Sequence, residues 1–368
     1  MSYRIPIYQP DLSGNEKKYL IECVDSTWIS GKGRFVDEFE RSFAKYINIR
    51  YASAACNGTV ALHLALAALG LKEGDEVIVP SFTYIASVNS ITYTGASPVF
   101  ADSLKNTWQL DPEDVKKKIT SKTKAIMLVH LYGYPCDVTK FIKIAKENNL
   151  FLIEDCAESF GSKFGGRDTG TFGDIAAFSF FGNKTITTGE GGMVVTNDKT
   201  LSEKVEHLKG QGLAKFREYW HDIVGFNYRM TNMCAAIGLA QLERADELIA
   251  AKVKVTSCYN KYLKNIPVEL FLPQKNVKHN FWMYSILTKD AEEREGLRDF
   301  LKKSGIETRP TFYPVHTMPM YAIQSQKLPV AENLGWRGVC LPSYPALKET
   351  EIKEICKCIE NFYGEFNK

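Results

Sequence analysis

Apolar positions along the chain fall into two alternating kinds of run. Short, mostly apolar blocks at 76–80, 98–101, 124–130, 149–154, 175–181 and 193–196 read as buried strands. Between them, apolar residues recur three and four apart and predict helices over 60–69, up to about Tyr93, from Asp111-Pro112-Glu113 onward, and over 138–148. Helices are also predicted over 15–25, over 36–46 with Phe39 and Phe43 four apart, over 200–209, and as one long capped helix over 231–250. The segment 210–228 is irregular and rich in Gly and aromatics. Strands separated by helices predict a mostly parallel sheet covered on both faces, an α/β architecture. The alternation then weakens to a helix at 252–263, a strand at 281–287, a helix at 291–303, a strand at 307–311 and a terminal helix at 349–362. The expected organisation is a large α/β domain over 1–245 and a smaller α+β domain over 246–368.

In such sheets ligands sit at the carboxyl ends of the strands. Asn57-Gly58-Thr59, Tyr84, Asp155 and Lys184 all fall at or near predicted strand ends. Lys184 lies in FSFFGNKTITTGEGG, on a tight connection between two buried strands. An amine held in a pocket there has its pKa lowered by desolvation and becomes a nucleophile towards carbonyls. Asn57 is placed to cap the helix that follows, and Gly58 lets the backbone approach a ligand. The free N–H groups and positive dipole end of that helix suit a phosphate.

Composition narrows the class. The 368 residues are 45% hydrophobic and 24% charged, ordinary for a soluble globular protein. The net charge of +3 arises from 46 basic and 43 acidic residues with no basic block, so neither nucleic acid nor a membrane surface is an expected partner. No apolar run reaches the roughly 20 residues of a membrane span, and the N-terminal pattern is not secretory. Nine cysteines without a CxxC pair or zinc spacing suggest reduced thiols in the cytoplasm and no metal site.

A lysine that forms a Schiff base with a pyridine-aldehyde cofactor needs three supports. A carboxylate must keep the pyridine nitrogen protonated, and Asp155 at a buried strand end suits that role. An aromatic face must hold the ring, and Tyr84 is the candidate. Hydroxyls and backbone N–H groups must bind the phosphate, for which Gly58, Thr59 and Ser179 are placed. Taken singly, Asp155 reads as a cap or salt bridge and Tyr84 as core packing. Their convergence favours the cofactor reading.

The chain resembles the DegT/DnrJ/EryC1/StrS family of pyridoxal-phosphate sugar aminotransferases. The resemblance rests on Cys56-Asn-Gly-Thr-Val-Ala-Leu, Glu154-Asp-Cys-Ala-Glu158, Phe178-Ser179-Phe, Lys184 with Gly189-Glu-Gly-Gly, Asn227-Tyr-Arg229-Met and Arg309-Pro310. It implies a fold-type I, aspartate-aminotransferase-like architecture with a seven-stranded large sheet. It also implies that Lys184 carries pyridoxal 5′-phosphate, that Asp155 pairs with the pyridine nitrogen, and that Gly58, Thr59 and Ser179 hold the phosphate. Tyr84 would lie against the ring, and Glu158 would stand near the phenolic oxygen at a position often occupied by Gln. Asn227 would reach the phosphate of a neighbouring subunit, implying a homodimer with shared sites. Tyr313 and His316 match a loop near the sugar; Trp220, His221 and Arg229 are further substrate-binding candidates. Ser26-Thr-Trp-Ile-Ser30, Tyr219-Trp-His-Asp and Tyr313-Pro-Val-His-Thr-Met resemble the branch that aminates GDP-4-keto-6-deoxymannose at C4, with L-glutamate as donor by family habit. The first alternative is a UDP- or dTDP-linked 4-keto-6-deoxy sugar. A more distant one is a non-catalytic sugar-nucleotide-binding protein, against which intact Lys184 and Asp155 speak.

Overall fold

The computed structural model describes residues 3–271, 274–322 and 326–366. The first five strands are β1 (Tyr51–Ala55), β2 (Glu76–Pro80), β3 (Ser97–Ala101), β4 (Thr123–Val129) and β5 (Phe151–Asp155). A short hairpin follows, β6 (Lys163–Phe164) and β7 (Arg167–Asp168), then β8 (Ile175–Ser179) and β9 (Gly192–Thr196). Seven of these form one sheet in the order β1-β9-β8-β5-β4-β2-β3. The pairs β2–β3, β2–β4, β4–β5 and β5–β8 are parallel, and β9 alone runs against its neighbours β1 and β8.

The sheet is apolar on both faces because helices cover both, as crossover connections between parallel strands require. Along β4, Met127 joins the core built by the helix Gly58–Leu69, whereas Ile126 and Leu128 join the core of the helix Val138–Glu147. A third cluster packs Phe39 and Phe43 against Phe178 of β8 and Phe180 just beyond it, on the way to Lys184.

The C-terminal part builds a separate antiparallel sheet. Its strands are β10 (Glu269–Leu270), β12 (Tyr284–Leu287), β13 (Arg309–Pro310) and β14 (Gly338–Leu341), in the order β10-β12-β14-β13. The remaining strand, β11 (Val277–Lys278), pairs with β6. The helices Ala291–Lys303 and Glu349–Phe366 share a core with this sheet through Leu297, Leu301, Ile286, Ile355 and Ile359.

Several element boundaries differ from the pattern-based expectation, three of them with a bearing on how the chain is divided. The helix expected over 231–250 ends at Glu243, and a second one, Ala245–Leu263, absorbs the helix expected over 252–263. The break falls at Arg244 (φ −111°, ψ 13°), whose guanidinium is held by Asp11 at 3.1 Å and Glu247 at 2.8 Å. The strand expected over 281–287 begins only at Tyr284, because Phe281 takes φ +52°. That expected over 307–311 is reduced to Arg309–Pro310. The helix Pro329–Arg337 and β14 were not expected from the pattern.

Candidate active site

A cavity of about 550 Å³ opens at the carboxyl ends of the parallel strands. That volume is typical of small-molecule sites. Its floor is Asp155, the last residue of β5, which is buried and held from two sides. The hydroxyl of Ser87 donates to Oδ2 at 2.7 Å, and the N–H of Ala157 donates to Oδ1 at 3.0 Å. Burial raises the Asp155 pKa; those two donors and Lys184 offset it only in part. Behind Asp155 lies a buttress. The Nδ1 of His130 accepts from the N–H of Cys136 at 3.0 Å, so its proton sits on Nε2 and is donated to Glu154 at 2.9 Å. Glu154 further accepts from the N–H groups of Gly170, Phe172 and Gly173, which leaves a fully satisfied network next to the floor.

Lys184 reaches the same cavity from the loop between β8 and β9. The hydroxyl of Tyr8 donates to its carbonyl at 2.6 Å, and its own N–H donates to Phe181 O at 2.9 Å. Its Nζ lies 3.9 Å above the Trp282 ring centroid and 3.9 Å from Oε1 of Glu158. Burial pushes the amine below the ordinary lysine range against the pull of Glu158 and Asp155. Burial also raises Glu158, to about 7, although Lys184 and the N–H of Tyr132, which donates to its Oε2 at 2.6 Å, counter the shift.

The far wall is the start of the helix Gly58–Leu69. Asn57 caps it, its Oδ1 accepting from the N–H of Val60 at 3.0 Å. The first N–H groups of a helix have no intrahelical partner, and here they belong to Gly58 and Thr59 on the cavity wall. A Cβ at Gly58 would lie 2.6 Å from the Cβ of Ser179, so glycine is needed for the helix end and the Ser179 hydroxyl to meet. Tyr84 presents an exposed ring, 5.4 Å from that of Phe312.

Seven of the residues singled out from sequence therefore meet in one cavity: Gly58, Thr59, Tyr84, Asp155, Glu158, Ser179 and Lys184. Six others do not line it. Asn227 is exposed and bridges to Gly210, and Arg229 bridges to Ala55. Trp220 and His221 lie on the exposed 210–228 segment, Trp220 beneath Arg217 at 4.9 Å and His221 donating from Nδ1 to Gln211 O at 2.9 Å. Tyr313 packs on Trp336 at 4.8 Å. His316 is buried between Ser81, at 2.6 Å, and Glu332, at 3.2 Å.

Sequence reasoning missed Ser87, Tyr132, Trp282 and Phe312 as site residues, although all four line the cavity. Tyr132 (φ +55°) sits in an irregular turn after β4, and Trp282 arrives from the C-terminal sheet. Neither position carries a local signal; only the hydroxyl of Ser87, one helical turn after Tyr84, was accessible to motif reasoning.

The chain matches the profile of the DegT/DnrJ/EryC1/StrS aminotransferase family over residues 10–360. It belongs to that family. Its relatives include the GDP-perosamine synthase of Escherichia coli O157:H7, 60% identical over 98% of this chain and 99% of that one. The GDP-perosamine synthase of Vibrio cholerae is 49% identical over 98% and 99%. Among solved structures, the aminotransferase TlmJ from Streptoalloteichus hindustanus superposes with a TM-score of 0.94 at 27% identity, covering 99% of this chain and all of that one. The DegT/DnrJ/EryC1/StrS aminotransferases have the fold-type I architecture described above and use pyridoxal 5′-phosphate. The chain is accordingly a pyridoxal-phosphate-dependent nucleotide-sugar aminotransferase, acting on a sugar nucleotide and an amino donor. The cavity suits the cofactor: it offers an amine, a buried carboxylate, an aromatic face and a helix start beside a hydroxyl where a Cβ would fill the cradle. No helix among the described residues is long and apolar enough to cross a membrane.

Proposed function

We propose that the chain transfers the amino group of L-glutamate to C4 of GDP-4-keto-6-deoxymannose, forming GDP-perosamine for O-antigen lipopolysaccharide biosynthesis. The observation that carries the chemistry is a buried lysine facing two buried carboxylates, Asp155 at the end of β5 and Glu158 in the turn after it. The choice of sugar is supported by the 60% and 49% identity to GDP-perosamine synthases.

Pyridoxal 5′-phosphate, when bound, supplies a ring that withdraws electrons from the carbon bearing the transferred amine. Asp155 keeps the ring nitrogen protonated and is itself fixed by Ser87 and Ala157. The N–H groups of Gly58 and Thr59 and the hydroxyl of Ser179 hold the phosphate. Tyr84 covers one ring face. Lys184 Nζ would hold the cofactor at rest and, when free, would carry the proton to and from the substrate carbon. Asn227 acts on the phosphate of a neighbouring subunit, and the exposed apolar side chains of the same segment, Phe216, Trp220, Ile223 and Val224, fit a buried homodimer surface. Trp220, His221 and Arg229 are assigned to the outer substrate site, and Tyr313 and His316 to a loop near the sugar, where His316, buried between Ser81 and Glu332, supports the loop from within. Residues 1–245 form the large cofactor-binding domain and 246–368 the small one. All nine cysteines are free, which fits a reducing cytoplasm.

The deciding experiment is the visible absorbance of the purified protein with pyridoxal phosphate. Addition of L-glutamate is expected to abolish the visible band, and GDP-4-keto-6-deoxymannose to restore it. Restoration only by a UDP- or dTDP-linked 4-keto sugar would refute the GDP assignment. A Lys184→Ala variant with full turnover would refute the lysine chemistry.

A further inference from the structure

An amine that binds and releases a cofactor must wait somewhere between the two, and the neighbours of Lys184 bear on where. The Nζ of Lys184 stands 3.9 Å over the Trp282 ring and 3.9 Å from Glu158. Neither partner is loosely held. The indole N–H of Trp282 donates to the carbonyl of Asn183, the residue before Lys184, at 2.8 Å, and the indole stacks on Tyr132 at 6.0 Å and 20°. The backbone N–H of Trp282 donates to Oδ1 of Asn280 at 3.0 Å. The side-chain amide of Asn280 in turn donates to the carbonyls of Glu158, at 2.8 Å, and Phe160, at 2.9 Å, and reaches Thr185 Oγ1 at 3.3 Å.

One buried asparagine thus ties together the Trp282 segment, the Glu158 turn and the Lys184 loop. The approach is close enough that any Cβ at Gly133 would collide with Asn280 Oδ1. Between Asn280 and Trp282, Phe281 takes φ +52°, a conformation that is costly for a bulky residue and persists only where the surroundings enforce it.

We propose that Trp282, fixed by Asn280, and Glu158 form a berth for the released amine of Lys184, holding it and its proton beside the reacting carbon. The inference rests on the reading of Lys184 as the lysine that binds the cofactor. The indole face and the carboxylate both favour the ammonium form, whereas burial favours the neutral amine. Set against each other, they leave a nitrogen that can both accept and release a proton. Glu158 and Asp155 face the amine from the end of β5; Trp282 and Tyr132 contribute rings, and Tyr8 binds only the lysine carbonyl. Arg309 and Glu190 are the other charged groups on the cavity wall. Trp282 and Glu158 are positioning residues, acting through Lys184.

The test uses full-length protein loaded with pyridoxamine 5′-phosphate, in which Lys184 is free. Trace acetylation by acetic anhydride across pH, read on the Lys184 peptide by mass spectrometry, gives the midpoint at which the amine loses its proton. Glu158→Gln keeps the shape and removes the charge, and its midpoint falls by about one pH unit. Trp282→Leu lowers the midpoint by roughly half a unit or more, and Trp282→Phe restores most of it. An unmoved midpoint in Glu158→Gln overturns the berth. So does a rise in Trp282→Leu, which would mean that the indole only keeps water out. If Trp282→Leu does not fold, Glu158→Gln and Trp282→Phe decide. Borohydride reduction of protein loaded with pyridoxal phosphate tests the underlying reading separately, since a label on another lysine refutes it whatever the midpoints show.

Discussion

Glu158 is the residue whose charge state the cavity leaves most delicately balanced. An ordinary glutamate loses its proton near 4.5; burial lifts Glu158 to about 7, against the pull of Lys184 and the Tyr132 amide. Folding therefore takes up a proton on Glu158 between those values. The stability it contributes is full below about 4.5 and is lost as pH rises through about 7. Cofactor-free Glu158→Gln cannot ionise, so its melting temperature is expected to gain on that of the native chain between about pH 5 and pH 8. A difference that stays flat would show that Glu158 does not titrate in this window. Asp155 makes a second prediction. Asn in its place cannot hold a protonated ring nitrogen, and loss of one partner of a buried pair costs about 3 kcal/mol. Asp155→Asn should therefore lower kcat/KM by roughly a hundredfold, with the fold retained. At this scale the sequence was legible where chemistry restricts residue type. A lysine, an aspartate and a Gly-Thr helix start at strand ends could be picked out; Trp282 and Tyr132 could not, because their role comes from tertiary placement on irregular backbone.

At the scale of elements, the helix Gly58–Leu69 links local sequence to cofactor affinity. Its start is fixed by the Asn57 cap and by the Gly58 contact with Ser179. Asn57→Ala should cost about 1 kcal/mol in thermal or urea unfolding, because one N–H loses its acceptor. Gly58→Ala is the sharper probe. Its Cβ would meet the Cβ of Ser179 at 2.6 Å, so either the helix start or Ser179 must move. The expected cost is about 1–3 kcal/mol, with the Kd for pyridoxal phosphate raised at least roughly tenfold, the larger effect being on binding. Native affinity in Gly58→Ala would show that this contact does not shape the phosphate cradle. The starts of helices with strong caps, such as those after Asn57, Asp111, Thr231 and Asp290, were readable within a few residues. The break at Arg244 was not, since neither glycine nor proline marks it; it is set by ion pairs to Asp11 and Glu247. The late start of β12 has the same kind of origin, in the clamp that Asn280 places on Trp282.

For the whole molecule, the question is how a residue that does not line the cavity of its own chain can still serve a site. Asn227 is exposed, on a segment whose Phe216, Tyr219 and Val224 are 75%, 93% and 90% exposed. So much apolar surface on one stretch is what a subunit interface would cover. No sequence pattern separates a residue that completes its own site from one that completes a neighbour's, because the two differ only in symmetry. In a two-fold dimer each site would combine Lys184 of one subunit with Asn227 of the other. Lys184→Ala and Asn227→Ala homodimers are each expected to have little activity, for different reasons. When the two are unfolded together and refolded as a mixture, half of the dimers are hybrids. Each hybrid has one site carrying both substitutions and one carrying neither, so about a quarter of native activity returns. If Asn227 served its own subunit, every site in the mixture would carry one substitution or the other, and mixing would restore nothing. Recovery on mixing, measured against each variant refolded alone, therefore decides whether the active site is shared.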